Sequence, residues 1–170
     1  IIKDTIVLGY YDTMEWFNHS LMRRGISVCD VKNEPNNENL LYAACSFGGQ
    51  ANVQTVKLYL RLAGKDAWKL LTDETKSNYE TAFVKAVFTN SIETVKILLD
   101  AAGDNIWTLL SKKYFDDDTI LHRIAPTRAE IVKVILDTAG DNNKWTLLTM
   151  KNFSDSTALH LAARYNPQAV

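Results

Sequence analysis

From residue 92 the chain keeps a helical beat: Ile92-Glu-Thr-Val95-Lys-Ile97-Leu98-Leu99 sets apolar groups at helical spacing, with Lys96 and Asp100 on the outer side. The same run returns. Val95-Lys-Ile-Leu-Leu-Asp-Ala-Ala-Gly103 recurs as Val132-Lys-Val-Ile-Leu-Asp-Thr-Ala-Gly140, and an earlier copy is Val56-Lys-Leu-Tyr-Leu-Arg-Leu-Ala-Gly64. Behind each glycine comes a tryptophan followed by a pair of leucines, in Trp68-Lys-Leu-Leu, Trp107-Thr-Leu-Leu and Trp145-Thr-Leu-Leu. A third landmark is Thr81-Ala-Phe-Val, Thr119-Ile-Leu-His and Thr157-Ala-Leu-His, spaced by 38 residues each time. Landmarks recurring in a fixed order mean a repeat architecture, in which each unit buries its apolar face only by stacking on a neighbour.

Within a unit the pattern predicts two helices. Thr157 precedes Ala-Leu-His-Leu-Ala-Ala, a short first helix with small packing residues and a threonine placed to cap its start. The Val-Lys helix follows and is stopped by glycine, a residue suited to a left-handed cap. Taking the threonine position as the boundary gives units of about 5–38, 39–80, 81–118, 119–156 and 157–170, the last incomplete. The first is degenerate, with Asp12-Thr-Met-Glu15 as a capping box ahead of Trp16, Phe17, Leu21 and Met22, and with Gly25 as its stop. The absence of an initiator Met and the break within the last unit predict a piece of a larger protein.

These residues resemble the ankyrin repeat. Thr119-Ile-Leu-His122 and Thr157-Ala-Leu-His160 match its Thr-Pro-Leu-His motif without the proline, and the likeness extends through Leu161-Ala-Ala163, the Val-Lys-x-Leu/Ile-Leu helix and the Ala-Gly stop. It spans about nine tenths of the chain, most clearly from residue 39. It implies an all-α ankyrin-repeat solenoid of about four and a half helix-turn-helix units in a single domain, with protruding hairpin loops. The family period is about 33 residues, so units of 38 carry an extended, Trp-containing connection after the second helix. Repeats extended in this way are similar to those of ankyrin proteins of intracellular bacteria, some delivered into host cells. The hairpin glycine is replaced by Asp or Ser in Phe115-Asp-Asp-Asp118 and Phe153-Ser-Asp-Ser156.

Composition narrows the function. Nineteen basic and 20 acidic residues give a net charge of −1, so no global field draws the chain onto nucleic acid. No apolar run approaches the roughly 20 residues of a membrane span, and the start lacks the regions of a signal peptide. Two cysteines, Cys29 and Cys45, make no disulfide framework and fit a reducing compartment. The expected location is the cytoplasm, or a host's cytoplasm for a bacterial effector.

Candidate chemistry is sparse. His122 and His160 near Asp116, Asp117 and Asp118 suggest a metal or acid–base site, but their repetition favours structure, and the resemblance implies that this histidine bonds backbone groups tying neighbouring units together. Cys45 follows Ala43-Ala44 at a packed helical position and behaves as a small hydrophobe, while Cys29 lacks the surroundings of an activated thiolate. Gly48-Gly49 lacks the partners of a phosphate loop. Equal spacing of Trp68, Trp107 and Trp145 predicts a stacked core ladder. No catalytic residue, metal, cofactor or small-molecule substrate is expected.

A stack has no central cleft to shield chemistry, only an extended groove. The resemblance places its contact positions at Phe47, then Asn78, Glu80, Phe88 and Thr89. Asp116, Asp118 and Arg123 follow, then Ser154, Ser156, Arg164 and Tyr165. Aromatic and Arg anchors with an acidic tip suit a protein partner with a basic segment. The alternatives are a targeting arm for an enzyme whose catalytic domain lies elsewhere, and a spacer with no ligand.

Overall fold

In the computed structural model residues 16–17, 19–46, 50–89 and 91–165 are described, and of residues 50–52 the backbone alone. Phe47, the Asp12–Glu15 capping box and the Gly48-Gly49 turn lie outside the described residues. The fold is all-α apart from a two-residue ribbon, and it is built of repeated helix-turn-helix pieces. Two compact units divide between Ala82 and Phe83.

In the first unit residues 19–23 are helical and end at Gly25, whose φ of 68° fits the expected stop. A 3-10 turn at Val28–Asp30 leads to β1 (Lys32–Asn33), which pairs antiparallel with β2 (Glu38–Asn39). Next come α1 (Leu40–Ser46), α2 (Gln50–Ala63) and α3 (Ala67–Thr72), which pack against one another. Leu41, Cys45, Val56, Leu58, Leu70 and Leu71 are buried among them. Asn39, in the place that threonine holds in later copies, starts α1: its Oδ1 accepts from the Tyr42 N–H at 2.8 Å, and its Nδ2 donates to Leu70 O at 2.9 Å. One buried side chain thus caps one helix and ties it to another.

The second unit holds most of α4 (Ala82–Thr89), then α5 (Ile92–Ala102), α6 (Ile106–Leu110), α7 (Ile120–Ile124), α8 (Ala129–Thr149) and α9 (Ala158–Tyr165). Ser91 caps α5 by accepting from the Thr94 N–H at 3.3 Å. Gly103 ends it at φ 52°, and at Gly140 (φ 74°, ψ 165°) α8 is likewise broken into two helical stretches. The Ala-Gly punctuation therefore keeps one geometry in successive copies. α8 packs on α5, α6 and α7 and buries Ile131, Ile135 and Leu147.

The segments after each glycine are short helices, but their tryptophans do not form a buried ladder. Trp68 and Trp107 are half-buried, and Trp145 is 65% exposed. The leucines behind them do the packing: Leu70, Leu71, Leu109, Leu110 and Leu147 are buried, each worth about 2 kcal/mol in apolar burial. A helix five or six residues long has one narrow inward face. The Leu pair takes it, and the indole at the first turn is left at the rim.

Candidate functional site

The chemistry-bearing residues of the second unit gather at its two hairpins. Threonine and histidine build the base of the first. Thr119 precedes α7, and His122 Nδ1 lies 3.2 Å from the Thr119 N–H and 2.8 Å from its hydroxyl. A backbone N–H can only donate, so Nδ1 accepts, and the ring proton sits on Nε2. Nε2 then donates to Ser156 O, 3.0 Å away in the following hairpin. His122 is buried and holds one copy to the next. His160 repeats the local half, with Nδ1 2.7 Å from the Thr157 hydroxyl, yet it is exposed. Both histidines are structural parts of the repeat.

In the first unit a different side chain does the same work. Tyr42 stands three residues after Asn39, as His122 stands three after Thr119, and its hydroxyl donates to Glu80 Oε2 at 3.2 Å. Glu80 is the repeat equivalent of Ser156. Burial first, and then the neighbouring Glu80 carboxylate, push the Tyr42 phenol up to about 12. Asn78 beside it accepts from the Thr75 hydroxyl at 2.5 Å and is exposed.

The three aspartates at the first tip divide into separate roles. Asp118 Oδ1 accepts from Asn152 Nδ2 at 2.8 Å, joining the two hairpins, and Asp117 pairs with Lys113 at 3.2 Å. Only the Asp116 carboxylate is left without a hydrogen bond or ion pair among the described residues. Its backbone carbonyl accepts from the Phe153 N–H at 2.9 Å, a second tie between the tips. Asn152 also organises its own turn, its Oδ1 accepting from the N–H groups of Ser154 (3.1 Å) and Ser156 (3.0 Å). Asp116, Asp118, Ser154 and Ser156 are thus brought together in one bonded network.

On this scaffold two phenylalanines face water: Phe115 is 87% exposed and Phe153 is 83% exposed. Sequence reading passed over both. Their signal was an aromatic four residues before the threonine in consecutive copies, where a polar turn needs none.

A second cluster forms where α4, α7 and the approach to the hairpin meet. The Arg123 guanidinium lies over the Phe88 ring at 4.9 Å and 5.7 Å from the Tyr114 ring. Lys112 Nζ is also 5.7 Å from Tyr114. Arg128 Nη2 donates to Phe88 O at 2.7 Å, placing a cation at the C-terminal end of α4, where the helix dipole favours it. Phe88 and Arg123 are therefore one feature. Thr89 turns its hydroxyl back to Ala86 O at 3.0 Å. Arg164 lies 5.5 Å from the Tyr165 ring near the end of α9, both exposed.

Catalytic chemistry finds no purchase in this arrangement. Among the described residues no group of three or more His, Cys, Asp or Glu is placed to hold a metal ion. Cys45 is buried, and that burial alone pushes its thiol up to about 12; Cys29 is raised for the same first cause. No described helix is long and apolar enough to cross a membrane.

No protein-family model matches the chain, and no curated protein does. Among solved structures it is similar to the ankyrin repeat domain of Bcl-3, a member of the IkappaB protein family. The TM-score is 0.50 at 14% identity, over 95% of this chain and 93% of that one. At this identity the likeness is one of fold: an ankyrin-like assembly of repeated helical hairpins.

Proposed function

We propose that this chain is a protein-interaction module that reads its partner with hairpin tips and the first helices of its units. One observation carries the reading. Two consecutive hairpins are locked together through Asp116, Asp118, Asn152 and His122, while Phe115 and Phe153 are held out in water. Exposing two aromatics costs solubility and packs nothing, whereas rigid aromatic anchors lose little entropy on contact. Asp116 supplies a local negative charge between them, which suits a basic residue on the partner. Phe88 with Arg123, and Arg164 with Tyr165, supply further aromatic and cationic contacts, with Asn78, Glu80, Thr89, Ser154 and Ser156 as polar surroundings.

In this reading the chain is one domain of about four and a half units, working in a cytoplasm. The 38-residue spacing and the Trp-x-Leu-Leu segments support the finer likeness to ankyrin proteins of intracellular bacteria. A partner recovered by affinity capture with the whole chain provides the test. Replacing Phe115 and Phe153 by Ser together should weaken its binding at least about tenfold, and Asp116→Lys should slow its association. Unchanged affinity in the double variant would remove the tips from the interaction.

A further inference from the structure

We infer that the trough between α7, α8 and α9 is a docking site for an amphipathic α-helix from a partner, one that carries β-branched or Leu residues at i and i+4 and a small residue at i+8. The argument does not rest on the hairpin tips; it comes from comparing two copies of one surface. In the first copy α8 lies on α5, α6 and α7 and sets Ile131, Ile135 and Ala139 along one buried stripe. The repeat moves that seat forward. α5 becomes the first stretch of α8, α6 becomes its second stretch, and α7 becomes α9.

The shifted seat is open. Val95, Leu99 and Leu110 are wholly or almost wholly buried, while their equivalents Val132, Leu136 and Leu148 are only half-covered. The contrast is largest at Leu121, 1% exposed, and its equivalent Leu159, 48% exposed. These side chains, with Ala158 and Ala162, line an open trough of about 360 Å³. The small side chains of α9 matter here: Ala158 and Ala162 stand where α7 has Ile120 and Ile124, which leaves room for bulky knobs from the incoming helix.

Continuity with the α8 interface thus specifies the occupant. A surface of the same residue types and spacing, filled by such a helix one copy earlier, fits the same shape and chemistry. Placing a second folded copy there by its own α8 is excluded, because that helix already spends its apolar stripe inside its own unit.

The probe is a fluorescently labelled peptide with the sequence of residues 129–149, titrated into the full 170-residue chain carrying methyl-labelled leucine. Saturable anisotropy, with resonance shifts at Leu136, Leu148 and Leu159, is expected. Leu159→Glu should weaken the peptide at least about tenfold, with circular dichroism showing that the variant stays folded. A peptide with Ile131 and Ile135 both changed to Asp should not bind. No saturable binding would overturn the proposal, as would binding indifferent to Leu159→Glu. Shifts at Leu99 and Leu110 instead would show the peptide displacing α8 from its own seat. Self-association without peptide, giving the same shifts at the trough, would assign the surface to a second copy. Either outcome refutes the inference.

Discussion

The hairpin turns need a left-handed residue two positions before each cap, and Asn37, Tyr79, Asp117 and Asp155 take it with φ between 54° and 61°. Asn and Asp accept this region through short polar side chains, but tyrosine does so at a steric cost. Tyr79 is 68% exposed, so its ring returns little packing for that strain. Tyr79→Gly is therefore expected to stabilise the chain by about 1 kcal/mol in urea unfolding; no gain would mean the ring is holding something. Tyr42 makes the opposite case of a tyrosine well used. The folded state holds its proton more tightly than the unfolded chain does, because its pKa is raised from about 10 to about 12. That stabilisation is complete below about pH 10 and is lost as pH rises through about 12. Tyr42→Phe removes the titrating group, so the variant should lose less stability than the parent between those pH values. Parallel stability curves would absolve the Tyr42–Glu80 contact.

Between helices the same motif has different weight according to what stands beyond it. His122→Ala should cost about 2–3 kcal/mol, since it opens a buried space and deprives Thr119 and Ser156 of a partner. His160→Ala, at an exposed copy of the motif, should cost less than about 1 kcal/mol by thermal melting; equal costs would refute the bridging role. Gly140 joins the two stretches of α8 at a positive φ with extended ψ, a region open almost only to glycine. A Cβ there meets no atom within 4 Å, so Gly140→Ala tests backbone strain alone and should cost about 1–3 kcal/mol. Much of this was legible in the residues. Periodicity located the helices from α5 onward, glycines marked their ends, and the repeated Thr-x-x-His was correctly read as structural. What escaped were substitutions of role: Asn39 acting as the threonine and Tyr42 as the histidine share function but not residue type. The tryptophan ladder failed because equal spacing fixes equivalent positions and not burial, which the length of the short helix decides. At the hairpin, three consecutive aspartates looked alike until geometry gave Asp117 to Lys113 and Asp118 to Asn152. Phe115 and Phe153 were discounted as turn residues although their repetition was visible.

For a chain of stacked hairpins, stability is expected to follow each piece's number of covered faces more than its own helix propensity. Within the second unit that gradient is explicit. α5 buries Thr94, Val95, Leu98, Leu99 and Ala102, whereas α9 buries only Ala158 and Ala162. Both helices exceed the marginal length for a helix alone by nothing, so the difference must come from cover. Amide exchange should therefore be slowest in α5 and fastest in α9, with the first stretch of α8 between, because one side of it is seated and the other lines the trough. Peptide binding at the trough should slow exchange in α9 and in both stretches of α8 while leaving α5 unchanged, since only the former gain a neighbour. Uniform protection across α5, α8 and α9 would mean that the unit opens as a whole, and that the uncovered leucines cost it no local stability.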